Sequence, residues 1–533
     1  MPIVIAASGR QRRKVRFTAS TASNQTPKTR NTQNLTIKPK YPNSRPLPPV
    51  SSSTTTPVAA TAVTTDSQSS PKHHDKMCEP QVQPGVPGLF TTPPLLLDAL
   101  VTETSEAQAE TVSKCLPFLK GTHSTQNGPF NRFGVPALMR DEHVAYLFDS
   151  LEDYPEGFVA MDASRPWLVY WALAALSLLR EDTSKVRERV INTFMSMQNP
   201  AGGFGGGHGQ LSHCASSYAA VLSLAMIGGE EAYSLIDREK MWRWLGRLKQ
   251  PDGGFGVCEG GEEDVRGAYC AMVIISLLDL PLVLPPEAEA RHHGLETFDS
   301  GLSAYLSRCQ TFEGGISGSP GSEAHGAYAF CALACLCILG QPEVTVARCM
   351  DIPLLLSWLS ARQYAPEGGF SGRTNKLVDG CYSHWVGSCW PLIQSALDGA
   401  QPAEGPKQSS VGNLYSREGL TRYILGCCQA KFGGLRDKPG KHVDSYHTCY
   451  TLAGLSTTQH HHYHTTCSVS TKDDFASAFS WQYTSTIASD GEPGDANVFD
   501  ETDRVAALHP LYVIPHAAAE SMRLWCERQP TWA

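Results

Sequence analysis

The stretch Gln363-Tyr-Ala-Pro-Glu-Gly368-Gly-Phe370 decides the fold, because it is one of five copies of a single pattern. In each copy two to four residues separate a glutamine from a Gly-Gly pair, and an apolar residue follows the pair. The other four copies run from Gln198 to Phe204, Gln250 to Phe255, Gln310 to Ile316 and Gln429 to Leu435. Copies 51 to 65 residues apart indicate one supersecondary unit stacked several times, so equivalent residues of successive units should converge in space.

Each Gly-Gly pair lies between two apolar runs of 12 to 18 residues, such as the run from Trp167 to Leu179. These runs lack the strict alternation of a half-buried strand, so each repeat is predicted to be a helix, a glycine-rich loop and a second helix. The chain is therefore expected to be all-α from about residue 90 onwards.

The N-terminal region differs in composition from the rest. The first 49 residues carry ten Lys or Arg and no acid, and such a segment cannot bury enough apolar surface to order itself. Residues 1–85 are predicted to be a disordered basic extension, with a transit peptide or a wrongly assigned start codon as the alternatives. Residues 86–533 are predicted to form the folded domain.

Three segments of that domain are predicted to be irregular surface insertions, near 282–300, 402–417 and 459–503. The last holds the histidine run His460-His-His-Tyr-His464. Because no carboxylate or thiol partner stands nearby in the sequence, a solvated loop is expected there in preference to a metal site.

Bulk properties narrow the class of protein. The net charge of −8 and the isoelectric point near 6.1 argue against nucleic-acid binding. The seventeen cysteines include no C-x-x-C pair, which favours free thiols in a reducing compartment. No uninterrupted apolar stretch reaches the length of a membrane span, so we expect a cytoplasmic protein that is not embedded in a membrane.

The last four repeats share a register of polar residues. Eight to eleven residues after each Gly-Gly pair comes an acid, and an apolar helix-like run follows it; the acids are Asp264, Glu323, Asp379 and Asp444. Two positions after the acid stand Arg266, His325, Cys381 and Tyr446, and three positions after it stand Gly267, Gly326, Tyr382 and His447. Acids are favoured at helix starts, so four helix N-termini are predicted to face one end of a closed array.

This register brings two kinds of chemistry together. Asp379, Cys381 and His447 would supply a carboxylate, a thiolate and an imidazole from adjacent repeats, which is the ligand number of a catalytic zinc site with one open position. The alternative is that they are a helix cap, a small buried residue and a core histidine.

The second kind is an anion site. Arg266, His325, Arg373 and Lys376 form a basic cluster in an acidic protein, with hydroxyl donors on Tyr269, Tyr328 and Tyr382. Such a cluster suits a phosphate or diphosphate, and salt bridges to neighbouring acids are the alternative. The aromatic residues Trp167, Trp171, Tyr218, Phe330 and Trp385 near the polar ring would suit either a core or an apolar ligand.

Two strings carry a family resemblance: Asn375-Lys-Leu-Val-Asp-Gly-Cys-Tyr-Ser-His-Trp385 and Lys438-Pro-Gly-Lys-His-Val-Asp-Ser-Tyr-His-Thr-Cys-Tyr450. With them the chain resembles the β subunits of protein prenyltransferases, most closely those of the farnesyl-transferring type, from about residue 90 to Tyr512. The resemblance implies an α/α toroid, in which an inner barrel of helices surrounds an apolar funnel and is wrapped by an outer barrel.

The resemblance also implies roles for individual residues. Zinc would be held by Asp379, Cys381 and His447, and magnesium on the diphosphate would be near Asp437. The diphosphate would contact His325, Arg373, Lys376 and Tyr382 together with a lysine of a separate α subunit. Arg266, Tyr269, Tyr218, Tyr328, Cys331 and Trp385 would line the isoprenoid cavity, and Ser164, Trp167, Trp171 and Tyr446 would shape the peptide pocket.

The implied reaction moves a farnesyl group from farnesyl diphosphate to the cysteine thiol of a C-terminal C-a-a-X sequence, as found on small GTPases. Bulky Trp167 and Tyr450 at the funnel floor, and an acid at Asp437, favour the fifteen-carbon chain over the twenty-carbon chain of type I geranylgeranyl enzymes. A terpenoid cyclase is disfavoured because no D-x-D-D motif is present, and a non-catalytic zinc scaffold is the remaining alternative. Two features depart from the family pattern, namely His384, where animal members have Phe, and the loop from His208 to Ser216.

Overall fold

The computed structural model describes residues 81–532 except 95–98, 127, 153, 155, 403–404, 406–411, 466–474, 488–496 and 531. The extension predicted for residues 1–85 therefore stays a prediction, since residues 1–80 lie outside the described part. The described chain begins in contact with the fold, because the backbone N–H of Gln83 donates to the carbonyl of Lys120 at 2.9 Å. Half of the predicted insertion 402–417 also lies outside the described residues.

The described residues are mainly helical. The α-helices are α1 (Glu103–Leu119), α2 (Arg140–Asp149), α3 (Arg165–Leu178), α4 (Arg187–Met195), α5 (Cys214–Ile227), α6 (Glu230–Ser234), α7 (Arg238–Leu248), α8 (Val265–Leu277), α9 (Leu302–Arg308), α10 (Gly326–Leu339), α11 (Pro342–Cys349), α12 (Ile352–Ser360), α13 (Tyr382–Trp385), α14 (Cys389–Asp398), α15 (Arg417–Arg422), α16 (Ser445–Gln459) and α17 (His516–Glu527). A π-helical turn at Tyr423–Cys428 follows α15 directly.

The inner helices form a closed ring. Helix α3 packs against α5, α5 against α8, α8 against α10, α10 against α13 and α14, α13 against α16, and α16 returns to α3. These helices are apolar on nearly every side, and in α10 every residue from Ala329 to Ile338 is buried, as expected for a helix surrounded by others. The ring confirms the predicted all-α toroid.

The repeated glutamine joins each unit to the next. Gln363 donates to the carbonyl of Ser416 at 2.9 Å and accepts from the N–H of the same residue at 2.9 Å, just before α15. Gln310 makes the same pair of bonds to Asp351 before α12. Gln198 donates to the carbonyl of Leu235 and accepts from the N–H of Asp237, just before α7. Gln429 joins the last unit to the first. Its side-chain amide donates to the carbonyl of Ala137 and accepts from the N–H of Met139, just before α2.

The second repeat makes this joint differently. Gln250 bonds within its own loop, to the carbonyl of Leu248. The buried Lys249 makes the contact to the next unit instead. Its ammonium donates to the carbonyls of Gly253 and Phe298, each at 2.7 Å. Phe298 belongs to the predicted insertion 282–300, which contains a short 3-10 turn at Glu289–His293 and precedes α9.

The repeated glycines allow backbones of adjacent units to touch. A Cβ at the first glycine of any Gly-Gly pair would lie 2.1 to 2.3 Å from a backbone carbonyl oxygen of the next unit. For Gly433, the last of the five, that oxygen belongs to Glu142 in α2. All five have φ between +81° and +100°, a region that disfavours side chains.

The histidine run is not the solvated loop that we expected. His460–His464 is strand β1, which pairs antiparallel with β2 (Trp481–Ser485). His460, His462 and His464 are buried, and each hydrogen-bonds a neighbour as a neutral ring, to the carbonyl of Ser456, the carbonyl of Leu508 and the hydroxyl of Ser477 respectively. Backbone pairing and these partners satisfy one nitrogen of each ring, whereas Nδ1 of His462 and of His464 has no partner among the described residues.

The segment from Val505 to Ile514 covers the C-terminal ends of the inner helices. The N–H of Ala506 donates to the carbonyl of Leu178 at the end of α3. The hydroxyl of Tyr512 donates to Ser276 near the end of α8 at 3.1 Å. The barrel is thus closed at the end opposite the helix N-termini.

Two further findings concern the described residues as a whole. Their fifteen cysteines are all free. None of their helices is long and apolar enough to cross a membrane.

Candidate active site

The N-termini of the inner helices carry the polar register. Asp264 caps α8 by accepting from the N–H of Arg266 at 2.8 Å, and Asp444 caps α16 by accepting from the N–H of His447 at 2.7 Å. Helix α10 differs from the expectation, because the ring of His325 caps it at 3.1 Å and Glu323 instead forms an ion pair with Arg373. The imidazole at the cap occupies the place that an acid takes in the other two helices.

Asp379, Cys381 and His447 meet at one point of this ring. Their ligand atoms all lie within 4.8 Å of one another. His447 Nε2 lies 3.3 Å from Asp379 Oδ1, and the N–H of Cys381 donates to the same carboxylate at 2.9 Å. The loop before α13 and the first turn of α16 therefore bring the three predicted ligands together.

A second carboxylate orients the imidazole. Asp444 Oδ2 lies 2.7 Å from His447 Nδ1, which leaves Nε2 directed at Asp379. Sequence reasoning treated Asp444 only as a helix cap, whereas it both caps α16 and fixes the histidine. Its position three residues before a predicted metal-binding histidine was the signal that could have revealed this role.

The charges of the triad favour a cation. Burial alone would raise the pKa of Asp379, but its hydrogen bond to His447 and the nearby positive charges lower that pKa to about 2. Burial alone would lower the pKa of His447, but Asp379 and Asp444 raise it well above its usual value. Burial raises the pKa of the Cys381 thiol. Two carboxylates thus concentrate negative potential at a nearly buried thiol.

The donor set fits zinc. One thiol, one imidazole and one carboxylate are the ligand types that zinc prefers, and three protein ligands leave a position for substrate. An outer carboxylate on the second ring nitrogen, as Asp444 provides here, is the usual support of a zinc-binding histidine.

His325 and Tyr382 form a donor pair beside the triad. Burial, with a smaller contribution from Arg373, lowers the pKa of His325 to about 4, so its ring is neutral. Its Nδ1 accepts from the N–H of Ala327, so Nε2 carries the proton and donates to the Tyr382 hydroxyl at 3.0 Å. The hydrogen of that hydroxyl remains available for another acceptor.

The predicted basic cluster is partly paired with acids. Arg266 forms ion pairs with Asp264 and Glu262, and its guanidinium lies 5.6 Å from the ring centre of Tyr328. Arg373 pairs with Glu323. Lys376 is exposed on the loop that carries Arg373. Both arginines therefore form the salt bridges of the alternative interpretation, and both lie beside the site.

Asp437 also has a partner that the sequence did not reveal. Its carboxylate forms an ion pair with the neighbouring Lys438, and both side chains are largely buried. Burial, followed by the charge of Asp379, raises the pKa of Asp437 to about 6. Its backbone carbonyl accepts from the N–H of Gly380 at 2.7 Å, which ties it to the loop of the triad.

Aromatic side chains extend from the triad into the barrel. Ring centres are 4.5 Å apart between Trp385 and Tyr450, 5.0 Å between Tyr450 and Tyr446, and 5.3 Å between Tyr446 and Trp171. Trp171 stacks on Trp167 at 5.6 Å. The residues predicted to contact isoprenoid and peptide thus form one continuous aromatic wall, and Trp385 Nε1 donates to the Tyr446 hydroxyl at 3.1 Å.

The wall continues on the other side of the barrel. Tyr218 and Tyr269 share a hydrogen bond of 3.2 Å, and Trp167 lies 5.7 Å from Tyr218. The ring centres of Tyr269 and Phe330 are 5.7 Å apart, and the Tyr269 hydroxyl donates to the carbonyl of Leu511, in the segment that covers the C-terminal ends of the inner helices. The predicted residue Cys331 is buried on α10, and Ser164 is buried at the N-terminus of α3.

Comparisons with known proteins agree with this geometry. The family model described as "Prenyltransferase alpha-alpha toroid domain" matches residues 138–514. A curated relative from Pyricularia oryzae, "Protein farnesyltransferase subunit beta", is 52% identical over 82% of this chain and 83% of its own length. The relative of the same description from Schizosaccharomyces pombe is 37% identical over 79% of this chain and 96% of its own length.

A solved structure supports the fold. The complex titled "Candida albicans protein geranylgeranyltransferase-I complexed with GGPP" superimposes with a TM-score of 0.51, covering 73% of this chain and 98% of that chain at 20% identity.

Proposed function

The chain belongs to the prenyltransferase family, among its protein farnesyltransferase β subunits, and on this premise we propose the roles of its residues. The enzyme transfers a farnesyl group from farnesyl diphosphate to the cysteine thiol of a C-terminal C-a-a-X sequence. The observation that carries the proposal is the meeting of Asp379, Cys381 and His447 within 4.8 Å, with Asp444 behind the histidine.

The triad would hold zinc, which when bound lowers the pKa of a substrate thiol so that it is a thiolate at neutral pH. Asp444 keeps His447 oriented through its Nδ1. The peptide would enter along Trp167, Trp171 and Tyr446, which are part of the aromatic wall beside the triad, with Ser164 at the start of α3.

The bond change needs no general base on this chain. The thiolate sulfur forms a bond to carbon 1 of the isoprenoid, the bond from carbon 1 to oxygen breaks, and the diphosphate leaves with the electron pair. Tyr382 would donate its free hydroxyl hydrogen to the leaving group, and Arg373 and Lys376 would approach it with positive charge. For Arg373 this means exchanging Glu323 for the diphosphate.

Asp437 would supply one carboxylate oxygen to magnesium on the diphosphate, since magnesium in such sites takes few protein ligands and the substrate oxygens supply others. Trp167 and Tyr450 would end the funnel at the length of fifteen carbons. The partner is an α subunit that contributes a lysine to the diphosphate site, and the protein substrates are C-a-a-X proteins such as small GTPases. The free cysteines of the described residues support a reducing, cytoplasmic location.

The test is prenyl transfer to a C-a-a-X peptide by this chain co-expressed with an α subunit, with farnesyl and geranylgeranyl diphosphate compared. We expect transfer with a preference for farnesyl. Cys337, a buried thiol on α10 outside the triad, provides a matched control, so C337A should retain transfer and zinc. No transfer with either diphosphate by a zinc-loaded heterodimer would overturn the proposal.

The leaving-group assignment has its own test. Lys376→Ala should slow the single-turnover rate while the affinity for the peptide changes little, because Lys376 would meet only the diphosphate. A normal single-turnover rate in K376A would remove this residue from the proposal.

A further inference from the structure

His384 is a polar residue inside the aromatic wall. Its side chain is buried, with only 2% of the residue exposed. Its ring centre lies 4.6 Å from that of Phe330, 4.8 Å from that of Trp385 and 5.1 Å from that of Tyr450, on which it stacks. It therefore stands directly behind the tyrosine that is expected to end the funnel.

Hydrogen bonds fix which nitrogen of His384 is protonated. Thr457 donates to the carbonyl of Ala453 at 3.1 Å, so its oxygen accepts from Ser388 at 3.2 Å. The hydroxyl of Ser388, having donated to Thr457, accepts from His384 Nδ1 at 2.9 Å. The proton is therefore on Nδ1, and Nε2 is a bare acceptor. Burial lowers the pKa of His384 to about 3, which keeps the ring neutral.

Nε2 of His384 has no hydrogen-bond partner in the described part of the chain, although it is buried. A small cavity of about 20 Å³ is lined by polar residues that include His384 and His462 and by apolar residues that include Leu508 and Val513. His462 Nδ1 is likewise buried and unpartnered among the described residues. A cavity of this size accommodates one water molecule, and the two bare nitrogens are acceptors for its hydrogens.

We propose that His384 is a chain-length specificity residue, because its unpartnered ring nitrogen lies behind Tyr450, where a longer hydrocarbon would offer it no hydrogen bond. The inference rests on the proposed function. An isoprenoid that passes the position of Tyr450 would meet the imidazole next and would separate Nε2 from water. Burying a polar atom against hydrocarbon without a hydrogen bond is unfavourable. A phenylalanine at this position would carry no such penalty.

The experiment is a double-mutant cycle at Tyr450 and His384 in the heterodimer. For wild type, Y450L, H384F and Y450L/H384F, kcat/KM is measured with farnesyl and with geranylgeranyl diphosphate in the same preparation. The ratio of the two values cancels any difference in the fraction of active enzyme. A residue that only stabilises the fold would leave this ratio unchanged.

We expect Y450L to raise the geranylgeranyl-to-farnesyl ratio by removing the first barrier. Adding H384F to Y450L should raise the ratio about tenfold further, whereas H384F alone should change it by less than about threefold, because Tyr450 still ends the funnel. If Y450L/H384F does not fold, Y450L/H384L serves in its place with the same expectation.

His143 provides the matched control. It is also fully buried, with one ring nitrogen bonded to Gln429 at 3.0 Å and the other unpartnered among the described residues, but it lies on the outer helix α2. Y450L/H143F should show the ratio of Y450L. The proposal is overturned if wild type transfers farnesyl and H384F adds nothing to Y450L. If wild type transfers neither isoprenoid, the proposed function fails first and the inference falls with it.

Discussion

Two regions of the molecule gather histidines and surround them differently. At the triad, His447 lies between the carboxylates of Asp379 and Asp444, at 3.3 and 2.7 Å, and they raise its pKa. In strand β1, burial lowers the pKa of His460 to about 4 and that of His462 well below its usual value, and their bonds go to backbone carbonyls. The neighbours of a histidine, more than the number of histidines, decide whether it can serve as a metal ligand.

The largest effect that this contrast predicts comes from removing a ligand. Cys381→Ala or His447→Ala should lose zinc and lower kcat/KM by more than about 100-fold, since even outer partners of a ligand typically cost 10- to 100-fold. Zinc content by atomic spectroscopy and peptide prenylation are measured on the same heterodimer. Full turnover in a zinc-free variant would show that the triad is not a catalytic metal site.

Removing the outer carboxylate should have a smaller effect. Asp444→Asn keeps an acceptor for the N–H of His447 at the cap of α16 but replaces the charged partner of Nδ1. We expect zinc affinity to fall about 10- to 100-fold, measured by competition with a chelator. Asp264→Asn alters a cap of another inner helix, and it should leave zinc affinity unchanged. Equal losses in both variants would mean that capping, and not the carboxylate, supports the metal.

The buried histidines of the hairpin should make the fold sensitive to acid. In the unfolded chain His462 titrates near its usual value of 6.5, and in the folded chain its pKa is lower. The stability that depends on the neutral ring is therefore present above pH 6.5 and is lost as the pH falls below it, by up to about 1.4 kcal/mol per pH unit. His462→Gln removes this titration, so its melting temperature should fall less steeply than that of wild type between pH 6.5 and about 5.

His292, which is exposed on the insertion 282–300, serves as the control for that comparison. H292Q should follow the wild-type curve. A wild-type slope in H462Q would show that the hairpin imidazole is not protonated on unfolding in this range.

The smallest expected effect is on metal content. The double variant H462Q/H464Q should bind one zinc per heterodimer with an affinity within about threefold of wild type, because β1 offers no carboxylate or thiol to a metal. Equilibrium dialysis against zinc measures the stoichiometry. Two zinc ions in wild type and one in the variant would show that the histidines of β1 also bind metal, so the two regions would not differ as described.

The architecture could be predicted because its determinants are local and repeated. The Gly-Gly pairs and the glutamines recur at similar spacing, and the acids Asp264 and Asp444 cap helices as their register indicates. Gln250 has the same sequence context as the other glutamines, yet it bonds within its own loop and Lys249 contacts Phe298 of the following insertion instead, a difference that no local pattern indicates.

Other features depend on contacts between distant residues. The pairing of β1 with β2 joins segments that are separated by residues of mixed composition, so the histidine run gave no sign of burial. The network from His384 through Ser388 to Thr457 spans two helices and 69 residues between its hydroxyl partners. The sequence suggested either an anion site or ion pairs for Arg266 and Arg373. The three-dimensional arrangement was needed to show that the ion pairs form.

The hydrogen bond between Gln429 and Met139 can form only late in the synthesis of the chain. These residues are 290 positions apart, so at about 5 to 20 residues per second a ribosome needs roughly 15 to 60 seconds to deliver the glutamine after the methionine. During that interval the sides of α2 and α3 that the last repeat will cover have no partner, and the apolar flank of α3 that α16 will cover is exposed to solvent. The nascent chain is thus an incomplete arc for most of its synthesis, and chaperone demand should be greatest just before the fifth repeat emerges.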